Sequence, residues 1–96
     1  MVSVTEREME IIVNIVKSHV NESNIMVFGS RYYGTNRKFS DLDIAIRAIC
    51  KIPLAKLGKI RDAFEESELP YQVDVLDYNS ISPEFRKIID SGCCVI

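Results

Sequence analysis

The sequence has few of the residues on which secreted and zinc-binding domains depend. It contains three cysteines, one histidine and no tryptophan. Cys93 and Cys94 are adjacent and Cys50 stands alone, so the spacing indicates neither a disulfide framework nor a zinc site. Unpaired cysteines of this kind are typical of a reducing compartment, and we expect a cytoplasmic protein.

Long apolar runs and a strong net charge are also missing. No segment approaches the ~20 apolar residues that a membrane-spanning helix needs, and the first residues do not resemble a signal peptide. The net charge is −2 and the pI is about 5.3, which argues against broad binding to nucleic acid. We therefore expect a single domain over 1–96 that does not enter a membrane.

The charges that are present are unevenly distributed. Residues 31–61 contain eight cations and two anions, whereas the rest of the chain contains four cations and twelve anions. A basic middle within acidic flanks favours a small polyanion as the ligand of the middle segment. A solvated basic helix face over 51–61 explains the same lysines equally well.

Hydrophobic spacing and end signals predict alternating helices and strands. A first helix over 5–20 has candidate capping boxes at Ser3-x-x-Glu6 and Thr5-x-x-Glu8. The elements expected after it are a strand over 24–28, a short helix or loop, a strand over 41–47, a helix over 53–68, a strand over 71–77, a helix that begins after Ser82, and a short terminal strand.

The lengths of the connections predict the fold class. The connection between the first two strands, residues 29–40, is short for a parallel crossover, so that pair is expected to be antiparallel. The helix between the second and third strands allows a right-handed parallel crossover. We expect an α/β fold with a small mixed sheet of three to four strands and helices on one face. Phe85, Ile88 and Ile89 are expected to face inward from the last helix.

Carboxylates lie on two of the predicted strands. Asp41 and Asp43 share a strand face, with Cα atoms roughly 6.6 Å apart, and a hard cation such as Mg²⁺ would relieve their repulsion. Asp74, which we expect to be buried, would complete a three-carboxylate cluster if the two strands are neighbours. Asp77 is interpreted as a loop residue. The alternatives are a solvent-exposed strand end for the first pair and a capping or salt-bridged Asp74.

A glycine turn follows the first strand. Gly29 would allow backbone N–H groups to approach a phosphate closely, and the Ser30 hydroxyl could donate to a phosphate oxygen. Arg31, Arg37 and Lys38 follow and could neutralise the remaining charge. An ordinary turn glycine with a polar neighbour is the alternative.

The run Gly29-Ser30, ten residues, Asp41-Leu42-Asp43 resembles the signature of the polymerase-β-type nucleotidyltransferase superfamily. With Arg31, Gly34 and Ser40 added, it resembles the minimal branch of that superfamily, the MNT proteins, and the likeness extends over essentially the whole chain. Two features depart from the pattern. Tyr32 occupies a position that is usually small, and the chain lacks the aromatic residue that often closes the domain.

The resemblance implies a fold, a reaction and a site. The fold is the polymerase-β-type nucleotidyltransferase fold, and the reaction moves a nucleoside monophosphate, AMP, from ATP to an acceptor. By the resemblance Asp41 and Asp43 hold two Mg²⁺ ions, and Asp74 binds one of them and favours attack by the acceptor hydroxyl. The residues that would bind the nucleotide are Gly29, Ser30, Arg31 and Ser40.

The resemblance also implies a partner. MNT proteins commonly pair with a HEPN-domain protein as the antitoxin of a toxin–antitoxin system, and some AMPylate a tyrosine of the toxin. We therefore expect an enzyme that modifies a partner protein, in a hetero-oligomer or a homodimer. The alternatives are a module that neutralises a HEPN partner by contact alone, and a catalytic subunit that modifies a small molecule or an RNA end.

Overall fold

The computed structural model describes residues 2–96, and in this part of the chain it contains four helices and four strands. The predicted elements are all present, with ends that differ from the predicted ends by at most three residues. In chain order the elements are α1 (Glu6–His19), β1 (Ser23–Phe28), α2 (Ser30–Tyr33), β2 (Leu42–Ala48), α3 (Leu54–Glu65), β3 (Val73–Asp77), a 3-10 turn (Tyr78–Ser80), α4 (Pro83–Asp90) and β4 (Cys93–Val95).

Side chains cap the starts of α1 and α4. Of the two candidate capping boxes, the chain uses the second: the Thr5 hydroxyl accepts from Glu8 N at 3.1 Å, and Glu8 Oε1 accepts from Thr5 N at 3.0 Å. Ser82 accepts from Phe85 N at 3.2 Å, with Pro83 at the first position of α4. Polar residues at these positions therefore determine where both helices begin.

The four strands form one mixed sheet in the order β3-β2-β1-β4. β1 pairs antiparallel with β2 and with β4, whereas β2 pairs parallel with β3. Both predicted strand orientations, and the predicted mixed α/β fold, are confirmed. No helix within residues 2–96 has the length and apolarity needed to cross a membrane.

One face of the sheet, which we call the core face, lies under α1 and α3. Ile25, Ile44 and Ile46 have no exposed surface there. The helices contribute Ile12, Val16, Leu57, Ile60 and Phe64 to the same cluster. Full burial of each such side chain stabilises the fold by about 1.5–3 kcal/mol before entropy is counted, so this face supplies most of the packing energy.

The opposite face, which we call the site face, carries α4, so the expectation that the helices lie on one face was wrong. The 3-10 turn after β3 leads the chain to this side, and helical periodicity does not reveal which face a helix covers. Ile88 is 65% exposed, contrary to the expectation that it faces inward, and Phe85 is only partly covered. The buried cluster on this face is small and consists of Met26, Ala45, Tyr78 and Ile89.

Candidate active site

Strand pairing brings the predicted carboxylates together on the site face. Phe28 on β1 is the register partner of Asp43 on β2, and Asp43 is the register partner of Asp74 on β3. Asp41 lies one residue before β2. The three aspartates were predicted to form one cluster if the second and third strands are neighbours. In the sheet β2 and β3 are neighbours.

The prediction that Asp74 is buried was wrong. Asp74 is exposed because β3 is the edge strand of the sheet and its site face opens onto a groove. Asp43 is half-buried and Asp41 is exposed. The carboxylates therefore lie at the border between sheet and solvent, where a ligand can reach them.

The electrostatics of the cluster centre on Asp43. Burial raises the pKa of this carboxyl, and the negative charges of Asp74 and then Asp41 raise it further. Within residues 2–96 none of the three carboxylates forms an ion pair with a lysine or arginine, since the ion pairs found there join Arg7 to Glu10 and to Glu68. The cluster is thus negative and uncompensated by any side chain.

The donor set fits a hard divalent cation. Carboxylate oxygens are the ligands that such ions prefer, and the repulsion at Asp43 is the kind that a cation removes. In the part of the chain that the structure describes, no three histidine, cysteine or acidic side chains are arranged to enclose an ion by themselves. Mg²⁺ does not need such a cage, because it usually binds one or two carboxylates together with water and substrate phosphates.

Gly29 lies directly against the carboxylate cluster. Its backbone has φ 75° and ψ −154°, a region that is essentially restricted to glycine. A Cβ at this position would also overlap Oδ2 of Asp43. Backbone conformation and close approach therefore both require glycine here, which is a stronger constraint than an ordinary turn imposes.

Ser30 begins α2, immediately after this glycine. The first N–H groups of a helix have no partner within the helix, so the backbone here presents donors. The hydrogen bonds found among residues 2–96 do not include the Ser30 hydroxyl. Gly29 and Ser30 thus form a turn, which we call the phosphate turn, with donors available beside the carboxylates. Binding of phosphate by this turn stays a prediction.

The structure contradicts the expected contact of the Arg31 side chain with the nucleotide. Arg31 is only 4% exposed, and its guanidinium donates to the carbonyls of Ser3, Lys38 and Ser40. The guanidinium carbon also lies 3.8 Å from the centroid of the Tyr71 ring. A side chain with these contacts is not free to neutralise a phosphate. The burial of Arg31 could not be predicted from the sequence, because an arginine next to a phosphate turn can point either to the solvent or into the protein.

Ser40 lies in the turn that precedes β2. Its hydroxyl accepts from Arg37 N at 2.8 Å, and its carbonyl accepts from Arg31 Nε at 3.1 Å and Nη2 at 2.9 Å. These bonds make Ser40 a residue that shapes the approach to Asp41. A direct contact between Ser40 and the nucleotide stays a prediction.

Tyr32, which departs from the family pattern, has a packing role. The rings of Tyr32 and Tyr33 meet edge to face, with centroids 4.9 Å apart. Gly92 lies beneath them, and a Cβ there would collide with the Tyr33 hydroxyl. The two tyrosines therefore pack α2 against the junction of α4 and β4. The effect of Tyr32 on a nucleotide pocket stays a prediction.

A groove of about 820 Å³ runs from the carboxylates along the free edge of β3, and we call it the edge groove. Its wall near the carboxylates includes Phe28 and Phe85, which meet edge to face at 6.1 Å. Farther along it is lined by Arg61, Phe64, Glu65, Leu69 and Leu76. No local pattern in the sequence reveals this surface, because its residues come from five separate segments that only the fold brings together.

Asp77 is not part of the cluster. It ends β3 and is 4% exposed, and its carboxylate accepts from Ile52 N and the Ser80 hydroxyl at 2.8 Å and from Asn79 N at 3.1 Å. Because its oxygens satisfy buried donors, it holds the β2–α3 connection and the 3-10 turn. Its place at the end of the strand agrees with the expectation, although it is buried and hydrogen-bonded, unlike a typical loop residue.

Comparison with known proteins identifies the family. The family described as polymerase beta, nucleotidyltransferase, matches residues 10–96. The Haemophilus influenzae protein named "Probable protein adenylyltransferase MntA" is 36% identical over 93 residues, which cover 97% of this chain and 82% of that protein. The chain belongs to the polymerase β nucleotidyltransferase family, and it is an enzyme of the nucleotidyltransferase class. Members of this family generally use a divalent metal.

Solved structures agree with the fold. A toxin–antitoxin crystallised with AMP-PNP matches with a TM-score of 0.78 and 23% identity, over 90% of this chain and 69% of that one. A complex of a tri-AMPylated Shewanella oneidensis HEPN toxin with an MNT antitoxin matches with a TM-score of 0.67 and 19% identity, over 88% of this chain and 64% of that one. At these identities the two structures establish the fold.

Proposed function

We propose that this enzyme transfers AMP from ATP to a hydroxyl group of a partner protein and releases pyrophosphate. The observation that carries the proposal is the register of Asp43 and Asp74 on parallel strands, with Gly29 against Asp43. This arrangement brings a glycine turn and uncompensated carboxylates to one place. It supplies separate groups for the phosphates of the donor and for the hydroxyl of the acceptor.

The donor half of the site consists of the phosphate turn and the β2 carboxylates. In the proposal the backbone N–H groups of the turn and the Ser30 hydroxyl donate to the triphosphate, and they orient its α-phosphate toward β3. Asp41 and Asp43 would hold two Mg²⁺ ions, one of them shared with Asp74. When bound, such ions neutralise the negative charge of the triphosphate and of the departing pyrophosphate.

The acceptor half of the site is centred on Asp74. This carboxylate is exposed at the mouth of the edge groove, so an incoming hydroxyl can donate a hydrogen bond to it. In the proposal Asp74 orients the hydroxyl and accepts its proton as the new bond to the α-phosphate forms. The bond from that phosphorus to the pyrophosphate oxygen breaks in the same transfer.

The lining of the edge groove supports a peptide segment as the acceptor. Phe28, Phe64, Leu69 and Phe85 give the groove apolar walls, and away from the carboxylates Arg61 and Glu65 add one charge of each sign. Such a surface suits the side chains around a tyrosine better than it suits a polyanionic RNA end. We therefore propose a tyrosine hydroxyl as the acceptor group.

The names of the relatives suggest the partner. One relative is named a protein adenylyltransferase, and one structural neighbour is a complex of an AMPylated HEPN toxin with an MNT antitoxin. We propose that this chain acts as the antitoxin toward a HEPN-type protein and forms a hetero-oligomer with it. The need for ATP and the free thiols Cys50, Cys93 and Cys94 favour the cytoplasm.

Labelled ATP tests the proposal. Purified protein is added to a lysate of its own organism with Mg²⁺ and ATP labelled at the α-phosphate, beside the Asp41→Asn/Asp43→Asn protein. We expect a labelled protein band with the wild type alone. ATP labelled at the γ-phosphate should give no such band, which separates AMP transfer from phosphorylation.

The same experiment can reject the proposal. A band that is equally strong with the double variant shows that the carboxylates do not carry the reaction. Absence of label with all four nucleotides favours the contact-only module. A band that disappears on treatment with ribonuclease identifies an RNA acceptor.

A further inference from the structure

We propose that Arg31 is a positioning residue whose buried guanidinium fixes Asp41 relative to the phosphate turn. This inference rests on the proposed function, since it assigns a metal-binding role to Asp41. It concerns a side chain that contacts neither nucleotide nor metal.

The guanidinium joins the two parts of the donor half of the site, which are the phosphate turn and the segment that leads to Asp41. Arg31 follows Ser30 directly in the chain, and the carbonyl that accepts two of its hydrogen bonds belongs to Ser40, which directly precedes Asp41. Nη2 also donates to the Lys38 carbonyl at 3.1 Å. One side chain therefore bridges the ten-residue connection between the phosphate turn and the first carboxylate.

The connection has few other links of this kind. Its remaining hydrogen bonds within residues 31–41 are short-range, such as Ser40 N to the Arg37 carbonyl at 3.2 Å and Arg37 N to the Ser40 hydroxyl at 2.8 Å. Such bonds shape a local turn and do not determine where that turn lies relative to α2. The Arg31 guanidinium fixes the position of that local turn relative to α2.

The same group also reaches the segment that leads to the third carboxylate. Its carbon lies 3.8 Å from the centroid of the Tyr71 ring, three residues before Asp74. The Tyr71 hydroxyl donates to Glu8 Oε1 at 3.1 Å, and Arg31 Nη1 donates to the Ser3 carbonyl at 2.8 Å. The guanidinium thus lies at the point where the start of the chain and the approaches to β2 and β3 meet.

Only arginine can make this set of contacts. A planar guanidinium has five donors in fixed directions and a flat face that stacks on a ring, whereas lysine has one compact ammonium group. Lysine at position 31 would keep the charge, but it could not hold Ser3, Lys38 and Ser40 together. Arg31→Lys is therefore the variant that separates the geometry of the side chain from its charge.

The test measures binding of Mn²⁺ alone, by the electron paramagnetic resonance signal of the free ion, to wild-type and Arg31→Lys proteins. We expect the Kd for Mn²⁺ to rise at least tenfold in the variant, in the range that follows loss of groups that orient metal ligands. In the labelled-AMP assay kcat should fall by about 10²-fold, because misplacement by ~1 Å has that effect, while the KM for ATP changes less.

Arg86 provides a matched control. It is a partly buried arginine that donates to two carbonyls, those of Tyr78 and Asn79, at 3.0 and 3.1 Å, and it lies near the Tyr78 ring. Arg86→Lys removes the same kind of contacts from a segment that holds no proposed ligand. We expect a lower melting temperature and a Kd for Mn²⁺ within twofold of the wild type.

The outcomes are distinct. A folded Arg31→Lys protein that binds Mn²⁺ within twofold of the wild type overturns the inference and leaves the proposed function intact. A wild type that binds no Mn²⁺ overturns both. If Arg31→Lys does not fold, Tyr71→Leu replaces it, since that change removes the stacking surface but none of the guanidinium hydrogen bonds. Tyr71→Leu should raise the Kd by about threefold, and an unchanged value counts against the inference.

Discussion

The two faces of the sheet use the same strands for opposite purposes. On β2, Leu42, Ile44 and Ile46 point to the core face and have no exposed surface, whereas Asp43 points to the site face and has a raised pKa. The core face lies under two long helices, and the site face carries only α4 and a small cluster. Packing energy and chemistry are therefore separated by the two-residue period of the strand.

This separation makes the pairing register important for both faces. A slip of one residue in β2 would place Asp43 in the apolar layer and Ile44 at the site. The aliphatic side chains of the core face therefore indirectly hold the carboxylates where they are. Substitutions on neighbouring residues of one strand should then have effects of different kinds.

The largest effect is expected on the site face. Asp43→Asn removes a proposed metal ligand, so AMP transfer should fall at least 10³-fold, equivalent to about 4 kcal/mol in the activation barrier. The labelled-AMP assay measures this, and thermal melting should show a folded protein. Asp62→Asn, on the exposed surface of α3, is the matched control and should remain within twofold of the wild type. Transfer by Asp43→Asn above a tenth of the wild-type rate would contradict the assignment.

The next largest effect is expected one residue along, on the core face. Ile44→Ala should lower the free energy of unfolding by about 2–4 kcal/mol, because Ile44 has no exposed surface and its removal leaves a cavity. Urea denaturation followed by circular dichroism measures the loss. Ile88→Ala, at a position 65% exposed, should cost less than about 0.5 kcal/mol. Equal losses for the two variants would show that the faces do not differ in packing.

A smaller effect is expected where the two roles meet. Gly29→Ala should cost about 1–3 kcal/mol, because alanine is strained in this backbone conformation and its Cβ overlaps Asp43. Gly34→Ala is the control: it also has φ 75°, but no atom lies within 4 Å of its added Cβ. Its cost should be limited to the backbone term, about 1 kcal/mol. If the melting curves of the two variants coincide, overlap with Asp43 does not contribute to the cost of Gly29→Ala.

The smallest effect is the pH dependence of the metal-free protein. The pKa of Asp43 is raised on folding, so ionisation of this carboxyl disfavours the folded state as pH rises above its unfolded pKa of about 4. In EDTA at pH 7, Asp43→Asn should be more stable than the wild type, by about 0.5 kcal/mol or less since the site is open to solvent. The difference should disappear below pH 4. A variant less stable than the wild type at pH 7 would contradict the sign.

Much of the fold could be predicted from local patterns. Capping residues such as Ser82 set helix starts, the alternation over Leu42–Ala48 revealed β2, and loop lengths gave the strand directions. The clustering of the aspartates followed from the same reasoning, because it needed only two strands to be neighbours. These features are determined by residues that are close together in the sequence, so local patterns are enough to predict them.

Other features depend on contacts between distant segments. The burial of Arg31 requires Ser3 and Tyr71 to be known as its neighbours, and the exposure of Asp74 requires β3 to be known as an edge strand. The placement of α4 on the site face is of the same kind. No pattern within the α4 sequence distinguishes the two faces of a sheet.

The pairing of Asp43 with Asp74 across parallel strands also has a consequence for the evolution of this site. Adjacent strands lie about 4.8 Å apart in every β-sheet, so the spacing of the two carboxylates is inherited from the backbone and does not depend on neighbouring side chains. Residues around the edge groove can therefore be exchanged while that spacing persists. Such a site can acquire a new acceptor without rebuilding its chemistry.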